Sequence, residues 1–249
     1  MIEVRNLSKR YGEKLAVDGL DFVVQPGVVT GFLGPNGAGK STTMRLIAGL
    51  DEPSGGSVRV NGASYRSAVA PMAELGLLLE ARAMHTGRSA RNHLLALAQT
   101  NGISRRRVDE VIDMVGLREV AGKRVGGFSL GMGQRLGIAA ALLGDPGILI
   151  FDEPVNGLDP EGILWIRTLL KSLASQGRTI FISSHQLAEL AQTADDLVII
   201  NQGRLIAAGP MAGLLERSQA SSLEDFFLGA TSPDAPTAHP ASTRPRSLS

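Results

Sequence analysis

The chain has 249 residues, 43% of them hydrophobic, with a formal net charge of +1. The length allows one large domain or two small ones with a buried core, and the charge gives no sign of nucleic-acid binding. It contains no cysteine, which excludes disulfides, thiolate metal sites and a cysteine nucleophile. No stretch approaches the roughly 18 uninterrupted apolar residues of a membrane-spanning helix, so we expect any work at a membrane to need a partner.

The first predicted elements are strands. Residues 2–25 alternate apolar and polar side chains around a turn at residues 12–14, which predicts two antiparallel strands. A further strand is predicted at residues 57–61, after a loop that contains proline and glycine. We expect these strands to form a small antiparallel sheet that packs against the rest of the domain.

The most specific motif is GPNGAGKST, which matches the phosphate-binding loop pattern G-x-x-x-x-G-K-[ST] in full. It lies between a predicted buried strand at residues 28–33 and a predicted helix that runs through residue 48, so the helix dipole would face bound phosphates. Lysine supplies a positive charge for the β- and γ-phosphates, and the serine hydroxyl suits Mg²⁺. The predicted nucleotide-binding residues are Gly34, Pro35, Asn36, Gly37, Ala38, Gly39, Lys40, Ser41 and Thr42.

From about Pro71 to Leu143 the pattern changes to one typical of helices. Apolar residues recur at helical spacing in residues 92–99 and 108–115, and a glycine follows each segment. A turn rich in glycine at residues 129–135 then precedes an apolar helix, with Ser129 as a suitable N-cap. The exposed N–H groups of that turn would suit an anion, although a capped helix start alone accounts for the pattern.

The last part of the chain alternates strands and helices. Residues 147–152 form a continuous apolar run, as in a parallel strand covered on both faces. An amphipathic helix at residues 163–173 follows, and strands are predicted at residues 179–183 and 197–200 with a helix around residues 186–193 between them. This alternation predicts an α/β domain with a mainly parallel sheet.

Polar side chains at strand ends could complete a nucleotide site. Asp152 and Glu153 end an apolar strand, where one carboxylate can hold Mg²⁺ and the next can polarise an attacking water. Beside a full phosphate-binding loop we favour this function over a solvated turn. His185 could hydrogen-bond a γ-phosphate oxygen, although capping or surface roles are commoner at such a position. Tyr11 is first a half-buried strand residue and second a stacking platform for a base.

Taken in order, these motifs resemble the ATP-binding subunit of ABC transporters over residues 2–228. GPNGAGKST is similar to the Walker A motif of that family, and ILIFDEP at residues 148–154 is similar to Walker B. The segment NGLDP at residues 156–160 resembles the D-loop, and FSLGMGQRLGIA at residues 128–139 resembles the LSGGQ signature.

The resemblance implies an architecture and a domain division. It implies a P-loop NTPase core with a mainly parallel sheet, an N-terminal antiparallel β subdomain and a helical insert at about residues 81–143. We expect residues 1–228 to form the ATP-binding domain. Residues 229–249 are rich in proline, serine and alanine, which predicts a disordered tail.

The resemblance also implies ATP and Mg²⁺ as ligands and a head-to-tail pair of subunits. Ser129 and Gly131 of one subunit would close over the γ-phosphate held by the other, and Asp159 would make a contact across the dimer. Glu153 would be the general base and His185 the sensor of the γ-phosphate. Tyr11 falls where the family places an aromatic ring against adenine.

The sequence departs from the family pattern at three positions. Leu130 replaces the second residue of the signature, and Met132 replaces its final glutamine. Glu80 stands where most members have the Q-loop glutamine, and its carboxylate is still an oxygen ligand for Mg²⁺, beside Ser41 and Asp152. These departures resemble those of the branch that exports bacitracin and daunorubicin, which implies a drug or a peptide-like compound as the transported substrate.

We therefore expect a transporter subunit at the cytoplasmic face of the membrane, bound to a separate permease and to a second ATP-binding subunit. No nucleic-acid partner is expected. The main alternative is a soluble ABC-type ATPase for cofactor or cluster assembly, which needs no additional domain. A P-loop kinase or GTPase would not explain the segment that resembles the signature.

Overall fold

The computed structural model of the chain describes residues 1–79 and 84–231. The strands among them are β1 (Ile2–Tyr11), β2 (Lys14–Val24), β3 (Val29–Leu33), β4 (Gly55–Val60), β5 (Leu75–Leu78), β6 (Ile148–Phe151), β7 (Thr179–Ser183), β8 (Asp196–Asn201) and β9 (Arg204–Pro210). The α-helices are α1 (Lys40–Ile47), α2 (Pro71–Glu74), α3 (Ala90–Thr100), α4 (Arg105–Met114), α5 (Leu130–Leu142), α6 (Pro160–Ser175), α7 (Leu187–Thr193), α8 (Met211–Ser218) and α9 (Leu223–Thr231). None of these helices is long and apolar enough to cross a membrane.

The strands form two sheets. A three-stranded antiparallel sheet has the order β2-β1-β4, and a six-stranded sheet has the order β5-β6-β7-β3-β8-β9. The strands from β5 to β8 in the larger sheet pair in parallel, and only β9 runs antiparallel at the edge. The predicted α/β class, the mainly parallel sheet and the separate antiparallel sheet are confirmed.

Three phenylalanines join the two sheets. Phe22 of β2, Phe32 of β3 and Phe181 of β7 form one cluster, with 4.9 Å between the stacked rings of Phe32 and Phe181. Successive side chains of a strand point to opposite faces, so Leu33 of β3 packs in the other core, with the apolar faces of α5 and α6. The parallel sheet is therefore covered on both faces, which explains why its strands are continuous apolar runs.

The predicted helical block also contains a strand. β5 (Leu75–Leu78) lies within the segment that begins near Pro71, and it pairs in parallel with β6 at one edge of the larger sheet. The sequence pattern did not predict this strand, which precedes the insert boundary implied at about residue 81, because a four-residue apolar strand carries too little periodicity to be recognised. The insert helices α3 and α4 lie where helical spacing predicted them, and Ser89 and Ser104 cap them.

The C-terminal elements were not predicted. β9, α8 and α9 follow β8, and the side chain of Leu214 in α8 is buried in the core that includes α5 and α6. α9 (Leu223–Thr231) runs past the predicted domain boundary at residue 228, so residues 229–231 are helical. The rest of the predicted tail lies outside the described residues.

Candidate functional site

The candidate site lies at the carboxyl ends of three neighbouring parallel strands. The phosphate-binding loop follows β3, Asp152 and Glu153 follow β6, and His185 follows β7. These strands are adjacent in the order β6-β7-β3. Since the carboxyl ends of parallel strands meet at one edge of a sheet, segments far apart in sequence become neighbours here.

The phosphate-binding loop leads directly into α1 (Lys40–Ile47). Gly39 caps this helix with φ at +105°, and a Cβ atom there would lie 2.5 Å from the carbonyl oxygen of Ala16. Only glycine fits this combination of a left-handed backbone and a close neighbour. The glycine therefore allows the tight turn by which the loop enters α1, and the first N–H groups of a helix suit an anion.

Lys40 is held inside this loop. Its Nζ donates hydrogen bonds to the carbonyl oxygens of Gly34 at 2.7 Å and Pro35 at 3.3 Å. Burial lowers the pKa of Lys40 below its ordinary value, and the carboxylates of Glu153 and Asp152 partly oppose this shift. A bound phosphate would stabilise the charged ammonium group in the same way as those carboxylates, so the electrostatics of the loop favour an anionic ligand.

Ser41 and Asp152 form one oxygen-rich pair. The Ser41 hydroxyl donates to Oδ2 of Asp152 at 2.7 Å, and the Ser183 hydroxyl donates to Oδ1 of the same carboxylate. Hydroxyl and carboxylate oxygens are hard ligands, which is the donor chemistry that Mg²⁺ prefers. In the described part of the chain no group of three or more His, Asp or Glu side chains could hold a metal ion. The predicted ligand Glu80 lies outside the described residues.

Glu153 has a left-handed backbone with φ at +52°, a conformation that costs a non-glycine residue about 1–2 kcal/mol. Hydrogen bonds hold it on both sides: its N–H donates to the Ser183 hydroxyl at 2.9 Å, and its carbonyl accepts from Nε2 of Gln134 at 3.2 Å. Its carboxylate lies 2.7 Å from Nδ1 of His185, whose backbone N–H also donates to it at 3.3 Å. The backbone and the carboxylate are therefore both fixed.

Ser129 and Asp159 lie at helix starts. The Ser129 hydroxyl accepts a hydrogen bond from the N–H of Met132 at 3.2 Å, and Asp159 accepts from the N–H of Gly162 at 2.9 Å. Across residues 1–79 and 84–231, neither side chain hydrogen-bonds to the loop at residues 34–42. The structure thus brings the predicted Walker A and Walker B residues together, and it leaves these two side chains in local capping roles.

The turn that resembles the signature packs against the segment that resembles the D-loop in the same chain. A Cβ atom on Gly131 would lie 2.8 Å from the carbonyl oxygen of Gly157, and the Leu130 side chain packs directly against the same Gly157. Leu130 is also 45% exposed. The residue that departs from the family pattern therefore has a packing role within the subunit.

Tyr11 lies at the end of β1 with its side chain at the surface. Its hydroxyl donates to Oδ2 of Asp51 at 2.9 Å, and Nζ of Lys9 lies 4.9 Å from the ring centroid. Tyr11 is 46% exposed. The ring is exposed enough to stack on a base, and that role of Tyr11 stays a prediction.

Sequence reasoning missed two residues that contact the predicted ones. Ser183 is fully buried between Asp152 and Glu153, and Gln134 is buried with its amide on the Glu153 carbonyl. Ser183 carries the same signal as Asp152, a polar residue at the carboxyl end of an apolar strand. Gln134 carries the weaker signal of an amide within an apolar helix, and its partner cannot be read from spacing.

Comparison with known proteins gives consistent results. The sequence profile of the ABC transporter family matches residues 17–156. The bacitracin transport ATP-binding protein BcrA of Bacillus licheniformis is 43% identical over 222 residues, which are 88% of this chain and 72% of that protein. The lantibiotic transport ATP-binding protein SrtF of Streptococcus pyogenes is 36% identical over 227 residues, which are 91% of this chain and 96% of that protein.

Solved structures show the same fold. The structure of an ATP binding subunit of an ABC transporter superposes with a TM-score of 0.84 and 28% identity, over 92% of this chain and 99% of that one. The dimeric structure of MJ0796, a bacterial ABC transporter cassette, superposes with a TM-score of 0.77 and 25% identity, over 85% and 99% of the two chains.

Proposed function

The chain belongs to the ABC transporter family, and from this premise we propose that it is the ATP-hydrolysing subunit that powers export of a drug or a peptide-like compound. The line of hydrogen bonds from Ser41 through Asp152, Ser183 and Glu153 to His185 carries this proposal. Similarity to bacitracin and lantibiotic transport proteins supports a transporter subunit over a soluble assembly ATPase.

ATP binding is assigned to the loop at residues 34–42. Its backbone N–H groups and Lys40 would hold the β- and γ-phosphates, with Lys40 exchanging the carbonyl oxygens of Gly34 and Pro35 for phosphate oxygens. Ser41 and Asp152, with Glu80 as a further predicted ligand, would hold Mg²⁺, which when bound neutralises phosphate charge. The Tyr11 ring would stack on adenine.

Hydrolysis is assigned to Glu153 and His185. The Glu153 carboxylate accepts a proton from water as the water oxygen attacks the γ-phosphorus in line. The bond from that phosphorus to the bridging oxygen breaks, which leaves ADP and inorganic phosphate. His185 orients the carboxylate through Nδ1, 2.7 Å away, and is placed to sense whether the γ-phosphate is present.

A second subunit would complete each site. Ser129 and Gly131 start α5 (Leu130–Leu142), and the N–H groups of that helix start suit the γ-phosphate bound by the partner. Asp159 would contact the partner subunit next to them. The dimeric assembly of the similar cassette MJ0796 supports this arrangement.

A separate permease is the proposed membrane partner. The described helices do not cross a membrane, so the transport pathway would lie in another chain. We place the subunit at the cytoplasmic face of the membrane, where ATP is available, with the helical insert toward the permease.

Affinity purification from detergent-solubilised membranes tests this function. A membrane-spanning protein should co-purify with the tagged chain, and the complex should hydrolyse ATP in a Mg²⁺-dependent manner. The same preparation from Glu153→Gln should contain the membrane protein and lack the activity. A chain that is found only in the soluble fraction, without a membrane partner, would contradict the proposal.

A further inference from the structure

We propose that Gln134 is a positioning residue for Glu153, and that it sets the geometry of the base through the backbone. The inference rests on the proposed function, because it assigns Gln134 a part in the same hydrolysis. Gln134 does not touch the reacting atoms. It acts on the carbonyl group of the residue that does.

The contact is specific and buried. Gln134 is 3% exposed, and its neighbours on α5 include the buried apolar residues Leu136 and Ile138. Its Nε2 donates to the carbonyl oxygen of Glu153 at 3.2 Å. A buried amide that loses its partner is costly, so this bond fixes both the side chain of Gln134 and the carbonyl that it holds.

The backbone conformation of Glu153 has to be stabilised by its neighbours. Its φ of +52° is unfavourable for any residue other than glycine. Ser183 on β7 fixes the peptide group before the residue, and Gln134 on α5 fixes the carbonyl after it. The same carbonyl also accepts from the N–H of Asn156 at 3.2 Å, a bond within its own turn, so Gln134 is the contact that ties this turn to α5. Without it only the local bond of the turn opposes a rotation toward an ordinary backbone conformation. That rotation would move the carboxylate away from His185.

Gln134 lies on the helix whose start is proposed to face the partner subunit. It lies on the helix that Ser129 caps, and the first turn of that helix packs against Gly157. In the proposed dimer the helix start serves the nucleotide of the partner subunit. Through Gln134 the same helix also contacts Glu153, the proposed base for the nucleotide of its own subunit.

Paired variants on α5 test this role. Gln134→Met keeps an unbranched side chain of similar length and removes the donor. Arg135→Met is the matched control, because it removes a bond from the neighbouring residue to another backbone carbonyl, that of Val115 at 3.0 Å. In the full-length chain, Gln134→Met should lower kcat for ATP hydrolysis about tenfold. KM and nucleotide binding should stay unchanged, and Arg135→Met should keep kcat within about twofold.

A second variant covers the case in which Gln134→Met does not fold. Gln134→Glu has the same shape, but its side chain can donate to the Glu153 carbonyl only when the carboxyl is protonated. Burial favours the protonated form. The ratio of its kcat to that of the wild type should therefore rise as the pH is lowered from about 8 to about 6. A merely structural role would leave this ratio constant.

The outcomes separate this inference from the function on which it rests. A folded Gln134→Met with wild-type kcat, or a flat pH ratio for Gln134→Glu, overturns the positioning role while wild type stays active and Glu153→Gln inactive. A wild-type chain without ATPase activity, or a fully active Glu153→Gln, contradicts the proposed function and with it this inference.

Discussion

The carboxyl edge of the parallel sheet and the start of α5 differ in how complete each is within one chain. At the sheet edge, Ser41, Asp152, Ser183, Glu153 and His185 are joined by hydrogen bonds into one line. At the start of α5, Ser129 makes a bond within its own helix. Both regions are well ordered by local contacts, but only the first has the groups for hydrolysis gathered around it.

This difference indicates which of the groups needed for ATP hydrolysis a single subunit supplies to its own site. The sheet edge holds the proposed base and the phosphate-binding loop, so we expect it to bind ATP without a partner subunit. The helix start offers N–H groups, and in the proposed dimer the nucleotide of another subunit would lie against them. Variants in the two regions should therefore fail in different ways. Changes in the phosphate-binding loop should weaken ATP binding, whereas changes at the helix start or at Glu153 should slow hydrolysis and leave ATP binding intact.

The largest expected effect is that of Glu153→Gln. The substitution keeps the shape of the side chain and removes the proton acceptor, so hydrolysis should fall about a thousandfold. ATP should still bind, and the chain should accumulate as an ATP-bound dimer. Steady-state ATPase assays and size-exclusion chromatography with ATP measure both effects. A monomer with normal turnover would contradict the base and the dimer together.

The next effect is that of Ser129→Arg, which should block turnover about a hundredfold because a bulky cation fills the turn that faces the partner's nucleotide. ATP binding to the monomer should persist, since the loop at residues 34–42 is untouched. Titration with a fluorescent ATP analogue measures the binding.

Ser104→Arg is the matched control for Ser129→Arg. Ser104 caps α4 through the N–H of Arg107 at 3.3 Å, so both variants lose a helix cap worth about 1 kcal/mol. Only Ser129→Arg should stop hydrolysis. Loss of ATP binding in Ser129→Arg would mean that the helix start belongs to a site within one subunit.

A smaller effect is expected for Ser183→Ala at the sheet edge. The variant removes the hydroxyl that accepts from the N–H of Glu153 and donates to Oδ1 of Asp152, while Oδ2 keeps its bond from Ser41. This loss should lower the free energy of unfolding by about 1–3 kcal/mol. Turnover should fall about tenfold because the backbone N–H of Glu153 loses its hydrogen bond to Ser183. Urea unfolding and ATPase assays measure the two quantities.

Ser184→Ala provides the comparison for that experiment. The neighbouring Ser184 is also buried, and its hydroxyl accepts from the N–H of Gln186 at 3.0 Å. Its loss should cost similar stability without a comparable loss of turnover. Equal turnover in the two variants would show that Ser183 does not contribute to hydrolysis through its bonds to Asp152 and Glu153.

The smallest effect lies in the insert, away from both regions. Burial, with the positive charges of Arg88 and His85, lowers the pKa of His93 below 6.5. The unfolded chain thus binds a proton at higher pH than the folded one, so the free energy of unfolding should fall as the pH drops below 6.5. Denaturant unfolding between pH 7 and pH 5, roughly the range in which histidine titrates, should show a weaker slope for His93→Leu. An unchanged slope would exclude His93 as its source.

Much of the fold could be predicted because local patterns were strong. The phosphate-binding loop, the apolar strands β3, β6 and β7 and the capped helices carry clear periodicity or motif signals. β5 has only four residues at the sheet edge, and β9 is half-exposed. Short or half-exposed strands are defined by the partner with which they pair, so they could not be separated from helix or loop by pattern alone.

The candidate site was predictable up to the residues that act through others. Asp152 and Glu153 follow an apolar strand in a chain that also contains a full phosphate-binding loop, so their chemistry could be predicted from the sequence. Ser183 required the knowledge that β7 lies between β6 and β3. Gln134 required the fold of α5 against the loop after β6. Such contacts depend on tertiary packing, which sequence spacing does not encode.

Gly131 has a consequence for how related chains are interpreted. Its Cα approaches the backbone of Gly157 so closely that a side chain would lie 2.8 Å from a carbonyl oxygen. The fold itself therefore demands glycine at this position, whether or not ATP is hydrolysed. A degenerate descendant that had lost catalysis would still be under selection to keep it. Retention of this glycine is evidence of an intact fold, and evidence of activity must come from other positions, such as the proposed base Glu153.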